Sequence, residues 1–235
     1  MSHVKQYTRY RQGKLQVVRA HDDKRKRSSR RPSSHKHVVS LPDPGMVKIR
    51  QTVTDLLRTD AGQAELEDKI KAGGFQNSLP EVVALYGVEQ GAHHPYPDAF
   101  DHTMQVIKHL PPDASDNIRW AALLHDIGKA VTQKAHPDRG IVFDGHEHAG
   151  YKMVGKVLKR LGFSRDDQKE IEHLVRYHGS LRTKFLHSDE ADARKFMGHE
   201  HFEPLLTLHA ADVRASGRDP QEVLDAVDDL KSTKQ

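Results

Sequence analysis

From about residue 46 onward, apolar side chains recur every three to four positions, and Gly or Pro interrupts the rhythm. That spacing is the signature of amphipathic helices. It predicts helices over 47–57 and 64–71, with Gly73-Gly74 ending the second, and a short helical turn over 81–86 after Pro80. A helix over 98–109 is stopped by Pro111-Pro112. Ser115 suits the cap of a helix running to about Val131, with Trp120, Leu123, Leu124 and Ile127 on its apolar face. Further helices are predicted over 146–161, 164–177, 189–197, 201–215 and 220–230. Residues 133–145 read as a loop, with a hairpin-like turn at Ile141-Val142-Phe143. Strand signal is slight throughout, no internal repeat is visible, and the predicted fold class is all-α.

Residues 1–45 lack this rhythm. They are rich in Arg, Lys, Ser and His and end in Leu41-Pro42-Asp43-Pro44-Gly45. The expectation is a disordered basic arm over 1–45, with a short extended piece within 4–18, followed by a helical domain over 46–235. Six of residues 24–31 are Lys or Arg, and much of the net charge of +4 sits in this segment. Such a cluster suits contact with a phosphate backbone, so nucleic acid is a candidate partner of the arm.

Composition narrows the chemistry. The chain has 235 residues and no cysteine, which excludes disulfides, thiolate metal sites and cysteine nucleophiles. It has 18 histidines, so any transition-metal site must use imidazole and carboxylate. No apolar run is long enough for a signal peptide or a membrane span, and the expected location is the cytoplasm.

His125 and Asp126 are adjacent in Ala-Leu-Leu-His-Asp-Ile-Gly-Lys, at what the pattern makes the buried end of a helix. Imidazole beside carboxylate suits a divalent first-row metal. One helix cannot surround an ion. Other helices offer His102, His146, His148, His178 and Asp212, the last inside an otherwise apolar stretch where an unpaired carboxylate is costly. A lone histidine on a helix is usually just a hydrogen-bonded residue. Five or six ligand-type residues on separate amphipathic helices point to a metal site. Lys129, three residues after Asp126, would share its helix face and suits a phosphate oxygen; a solvated helix end is the competing reading. Arg176 carries the same ambiguity. Gly128 reads as a packing or termination residue.

These residues carry a family resemblance. Leu79-Pro80-Glu81, Gly87-Val88-Glu89-Gln90, His94-Pro95 and Phe100-Asp101-His102-Thr103 occur in order before the run from Arg119 to Lys129. Phe143-Asp144-Gly145-His146-Glu147, Leu174-Val175-Arg176-Tyr177-His178 and the stretch from Leu205 to Asp212 follow. Over roughly 64–217 the chain resembles the HD superfamily of metal-dependent phosphohydrolases, and within it the HD domain of bacterial CCA-adding enzymes, tRNA nucleotidyltransferases of the poly(A) polymerase family. The resemblance implies an HD-domain helical bundle. It implies one or two divalent transition-metal ions (Mn, Fe, Ni, Co or Zn), the first held by His102, His125, Asp126 and Asp212. His146 and His178 match second-ion positions, with Asp126 bridging.

The CCA-adding enzymes also carry a nucleotidyltransferase domain with a Gly-Ser turn and an Asp-x-Asp pair on a strand. Residues 1–95 hold neither pattern, so CCA addition is not expected of this chain. The expected activity is hydrolysis of phosphoesters in nucleotides or RNA ends, such as 2′,3′-cyclic phosphates or phosphomonoesters. A metal-activated water would be the nucleophile, Lys129 would offset phosphate charge, and His148 is a candidate proton donor. The alternative is an RNA-binding module with a structural or vestigial metal site.

Overall fold

Six loops end in a residue whose side-chain oxygen accepts a first-turn N–H: Asp43, Thr59, Asp98, Ser115, Ser164 and Asp189. Each cap satisfies a donor that a helix start leaves orphaned, and so fixes where that helix begins. The computed structural model describes residues 6–11, 14–19, 42–91 and 94–233. The chain divides into two units, 1–39 and 40–235. In the first, β1 (Gln6–Arg11) pairs antiparallel with β2 (Lys14–Arg19), Gln6 opposite Arg19 and Arg11 opposite Lys14. This pair falls in and just beyond the stretch expected to be extended. Residues 20–41, which carry the basic cluster of the expected arm, lie outside the described residues.

The second unit is all-α apart from one small hairpin. In order come α1 (Pro44–Leu57), α2 (Asp60–Lys71), α3 (Pro80–Val83), α4 (Ala99–Lys108), α5 (Asp116–Leu124) and α6 (Lys129–Thr132). The hairpin β3 (Lys134–His136) and β4 (Gly140–Val142) follows. The chain continues with α7 (His146–Arg160), α8 (Arg165–Tyr177), α9 (Leu181–Leu186), α10 (Glu190–Met197), α11 (Phe202–Ala215) and α12 (Gln221–Ser232). Residues 44 and 45, assigned to the arm from sequence, begin α1.

α5 is the axis of this unit. Every residue from Ile118 to Leu124 is buried, and α1, α4, α8 and α11 all pack against it. A helix apolar all round belongs in the middle of a bundle. Its polar members are satisfied: Trp120 Nε1 donates to Thr54 Oγ1 at 2.8 Å, and the Arg119 guanidinium donates to the carbonyls of Leu57, Pro111, Pro112 and Ala114. Burial of Arg119 is therefore tolerated.

Two departures from the sequence pattern shape the site. The single helix predicted from Ser115 to Val131 is two: α5 ends at Leu124, residues 125–128 turn, and α6 starts at Lys129. The turn lets Gly128 press against the start of α7. A Cβ on Gly128 would stand 2.1 Å from the His146 carbonyl oxygen and 2.6 Å from Gly150 N. Nothing but glycine fits that approach. The second departure is α9, six residues long and too short to show a period.

Candidate metal centre

Loop and helix ends from five elements bring the candidate ligands together. His102 comes from α4, His125 and Asp126 from the end of α5, His146 from the start of α7, His178 from the end of α8 and Asp212 from α11. Asp126 is at the middle and almost wholly buried. Its Oδ2 faces His125 Nε2 at 3.1 Å and His102 Nε2 at 3.7 Å; its Oδ1 faces His146 Nε2 at 3.4 Å and His178 Nε2 at 3.8 Å. Asp212 Oδ1 lies 3.0 Å from His102 Nε2. Two groups of donors able to hold an ion result, His102–His125–Asp126 and Asp126–His146–His178, with Asp126 common to both.

The hydrogen bonds fix which nitrogen each ring presents. Nδ1 of His125, His146 and His178 lies 2.8, 3.0 and 2.8 Å from the carbonyl oxygen three residues earlier, of Ala122, Phe143 and Val175. A carbonyl only accepts, so Nδ1 carries the proton and Nε2 of the neutral ring offers a lone pair. Three such lone pairs converge on a carboxylate. His125 Nε2 and Asp126 Oδ2 are buried without a hydrogen-bond partner. Lys129 Nζ, 2.7 Å from Asp126 Oδ2, offsets one edge of this cluster, but imidazole lone pairs facing a carboxylate at this range repel unless a cation also lies among them. Donors about 2.0–2.1 Å from one ion stand roughly 3 Å apart, close to the spacings here. The residues present therefore fit a divalent metal.

Electrostatics agree. Burial alone would raise the Asp126 carboxyl, but His125, Lys129 and His102 hold it well below the usual carboxylate range. Asp212 is lowered too, its burial outweighed by the His102 hydrogen bond and the neighbouring imidazoles. Burial pushes His178 down to about 4, with His125 adding to the effect, so it is a neutral donor at pH 7. Burial lowers His125, but the charge of and hydrogen bond to Asp126, with Asp212 and the Ala122 carbonyl adding, raise it overall, so an ion at Nε2 would displace a proton that Asp126 otherwise favours there.

The centre floors a cavity of about 520 Å³ lined also by Gln90, His94, Lys129, Glu147, Ser216 and Arg218. Lys129 is placed beside Asp126 by the turn at 125–128, not by a continuous helix face. Its Nζ lies 2.7 Å from Asp126 Oδ2 and donates to Gln90 Oε1 at 2.6 Å. His148 does not line the cavity, which corrects its candidacy as proton donor. It sits two residues beyond His146, on an exposed face of α7, with Nδ1 3.2 Å from Arg176. Arg176 is likewise outside, stacked over Tyr151 and Tyr177. Sequence reading assigned no role to Gln90 or Glu147. Gln90 is buried, donates to the Asp98 carbonyl and lies 3.0 Å from His94 Nδ1, so it ties that loop to Lys129. Its only sequence signal was its place in the Gly87–Gln90 segment.

A helical bundle whose two histidine groups share one carboxylate is an architecture suited to holding divalent metal. The chain belongs to the HD-domain family, which matches residues 87–215 and is a superfamily of metal-dependent phosphohydrolases. Among its relatives, the A-adding tRNA nucleotidyltransferase of Deinococcus radiodurans is 33% identical over 186 residues, 77% of this chain and 42% of that protein. The CC-adding tRNA nucleotidyltransferase of Thermus thermophilus is 30% identical over 189 residues, 77% of this chain and 43% of that protein. The multifunctional CCA protein of Halorhodospira halophila is 40% identical over 110 residues, 46% of this chain and 26% of that protein. The match thus spans less than half the length of each of these relatives. Among the described residues, no helix is long and apolar enough to cross a membrane.

Proposed function

We propose that this chain hydrolyses phosphoester bonds in nucleotides or RNA ends, using one or two divalent transition-metal ions. The carrying observation is the Asp126 carboxylate, with two imidazole nitrogens facing each of its oxygens. His102, His125, Asp126 and Asp212 would hold the first ion, and His146 and His178 the second, with Asp126 between them. A bound divalent ion lowers the pKa of water toward about 7 and polarises a phosphoryl oxygen. The protein supplies the rest. Carbonyls hold three imidazoles in the tautomer that donates, neighbouring imidazoles, with Lys129 beside Asp126, keep Asp126 and Asp212 ionised against their burial, and the cavity has room for a nucleotide. Lys129, paired with Asp126 and Gln90, sets the carboxylate's orientation and offsets charge at that edge.

The relatives named for tRNA favour an RNA substrate. The decisive experiment combines metal analysis of the purified chain with a screen of 2′,3′-cyclic nucleotides, nucleoside monophosphates and 3′-phosphorylated RNA, using Mn²⁺, Ni²⁺, Co²⁺, Mg²⁺ and Fe²⁺. Metal-dependent release of phosphate or opening of the cyclic ester is expected. A chain that neither binds these ions nor turns over any phosphoester would end the proposal. In the same reading, the basic segment adds RNA affinity through counterion release. Deleting residues 1–39 should weaken RNA binding and flatten its salt dependence, and unchanged binding would remove that role.

A further inference from the structure

Two cations line the cavity, and they are not equivalent. Lys129 is committed, with its ammonium between Asp126 and Gln90. Arg218 forms no ion pair and no side-chain hydrogen bond among the described residues, whereas nearby Arg182 pairs with Glu222 at 3.0 Å. The backbone holding Arg218 is well fixed. α11 closes with Gly217 at φ +69°, Gly217 N–H donating to the Arg214 carbonyl at 2.9 Å and Arg218 N–H to the Val213 carbonyl at 3.0 Å. This is a Schellman closure, and it sets Arg218 just past the end of the helix that carries Asp212 in its last turn.

Arg218 also stands at a junction. Together with Gly179 and Asp212 it lines both the 520 Å³ cavity and a second cleft of about 150 Å³. The cavity therefore has a metal-binding floor on one side and an unpaired guanidinium with extra space on the other. A guanidinium presents a planar fork that matches two phosphate oxygens.

We infer that Arg218 holds a second phosphate of the substrate, adjacent to the one being hydrolysed. The preferred substrates are then ribonucleotides with at least two phosphoryl groups, such as an RNA end with its neighbouring internucleotide phosphate, over nucleotides with one. This rests on the phosphohydrolase reading and narrows its substrate class. A cation past the end of α11 would also favour the helix dipole, and that role alone gives no substrate preference.

Turnover of adenosine 2′,3′-cyclic phosphate is compared with that of its 5′-phosphorylated form, on the metal-loaded wild type, Arg218→Ala and Arg218→Lys. Titration calorimetry compares adenosine 5′-monophosphate with adenosine 3′,5′-bisphosphate on the same proteins. The wild type should prefer the two-phosphate member of each pair. Arg218→Ala should reduce that preference by roughly ten- to hundredfold, the range for a charged hydrogen-bonded contact, and Arg218→Lys should retain part of it. No preference in the wild type overturns the inference. So does an Arg218→Ala preference equal to wild type, including an equal loss on both members, which would put Arg218 on the scissile phosphate or on neither. If no phosphoester is turned over but bisphosphate is preferred in an Arg218-dependent way, the hydrolytic reading fails and the assignment of Arg218 stands.

Discussion

The helical unit holds two groups of histidines, built differently. Around Asp126, four imidazoles point Nε2 at one buried carboxylate, and three have Nδ1 clamped by a carbonyl. In the C-terminal half of α8, His173 gathers with His199 and His201 without a central carboxylate; the nearest, Glu200, is exposed and lies 3.6 Å from His201 Nε2. His173 and His199 are stacked, with ring centroids 3.8 Å apart and planes 19° from parallel. His173 also meets Tyr177 at 4.7 Å, and Tyr177 meets Phe196 edge-on. The second group continues an aromatic cluster between α8 and α10. The stacked His173 and His199 rings aim their lone pairs side by side rather than at a common point, and His201 is inclined to them by 63° and 52°. Histidine density alone therefore does not make a metal site: a shared anion and a fixed tautomer do.

The largest test of this contrast is Asp126→Ala. Removing the shared carboxylate should abolish metal binding and cut turnover by more than roughly a hundredfold, beyond what losing a ligand's supporting partner costs. Helical content by circular dichroism should persist. Full metal occupancy in this variant would refute the assignment.

Next in size are His146→Ala and His178→Ala, which should each lower the metal content from about two ions per chain toward one. Unchanged stoichiometry in both would make the centre mononuclear.

Acid provides a third comparison, because it reaches both groups. Burial, with nearby positive charge, pushes His94, His173 and His178 down to about 4, whereas an ordinary histidine titrates near 6.5. Between those values the unfolded chain binds more protons than the folded one, so stability should fall as pH drops. His125 is raised and opposes this trend. Asp126 and Asp212 are lowered, so their contribution disappears only at still lower pH. Urea midpoints of the metal-free chain between pH 7 and 4.5 should decline, and a flat profile would contradict these environments.

The smallest effect is expected at the second group. His199→Ala, at an exposed ring, should change stability by no more than about 0.5 kcal/mol and leave metal content untouched. A lost ion in this variant would show that the stack is a ligand set after all.

Most helices, and the residues that gather around Asp126, carry signals in the sequence, because helix rhythm and residue chemistry are local. Ser115 caps its helix as expected, and the helix predicted from 164 begins with Ser164 as its cap. What stayed hidden was set by distant contacts. Apolar rhythm runs through Ile127 and Val131, so it could not show that the chain turns after Leu124 to seat Gly128 against α7. His148 has the right chemistry and a neighbouring ligand, but two residues along a helix turn a side chain to another face. The pairing of Lys129 with Gln90 joins positions 39 residues apart and has no local trace.

The carbonyl three residues before each of His125, His146 and His178 has a kinetic meaning. Each ring is held by its own stretch of backbone at a helix end. Capturing a cation then demands little loss of rotamer freedom, since the donors are already aimed. Loading of the centre should proceed without a folding step. The rate of ion uptake would be limited by stripping water from the incoming ion, not by assembly of the protein around it.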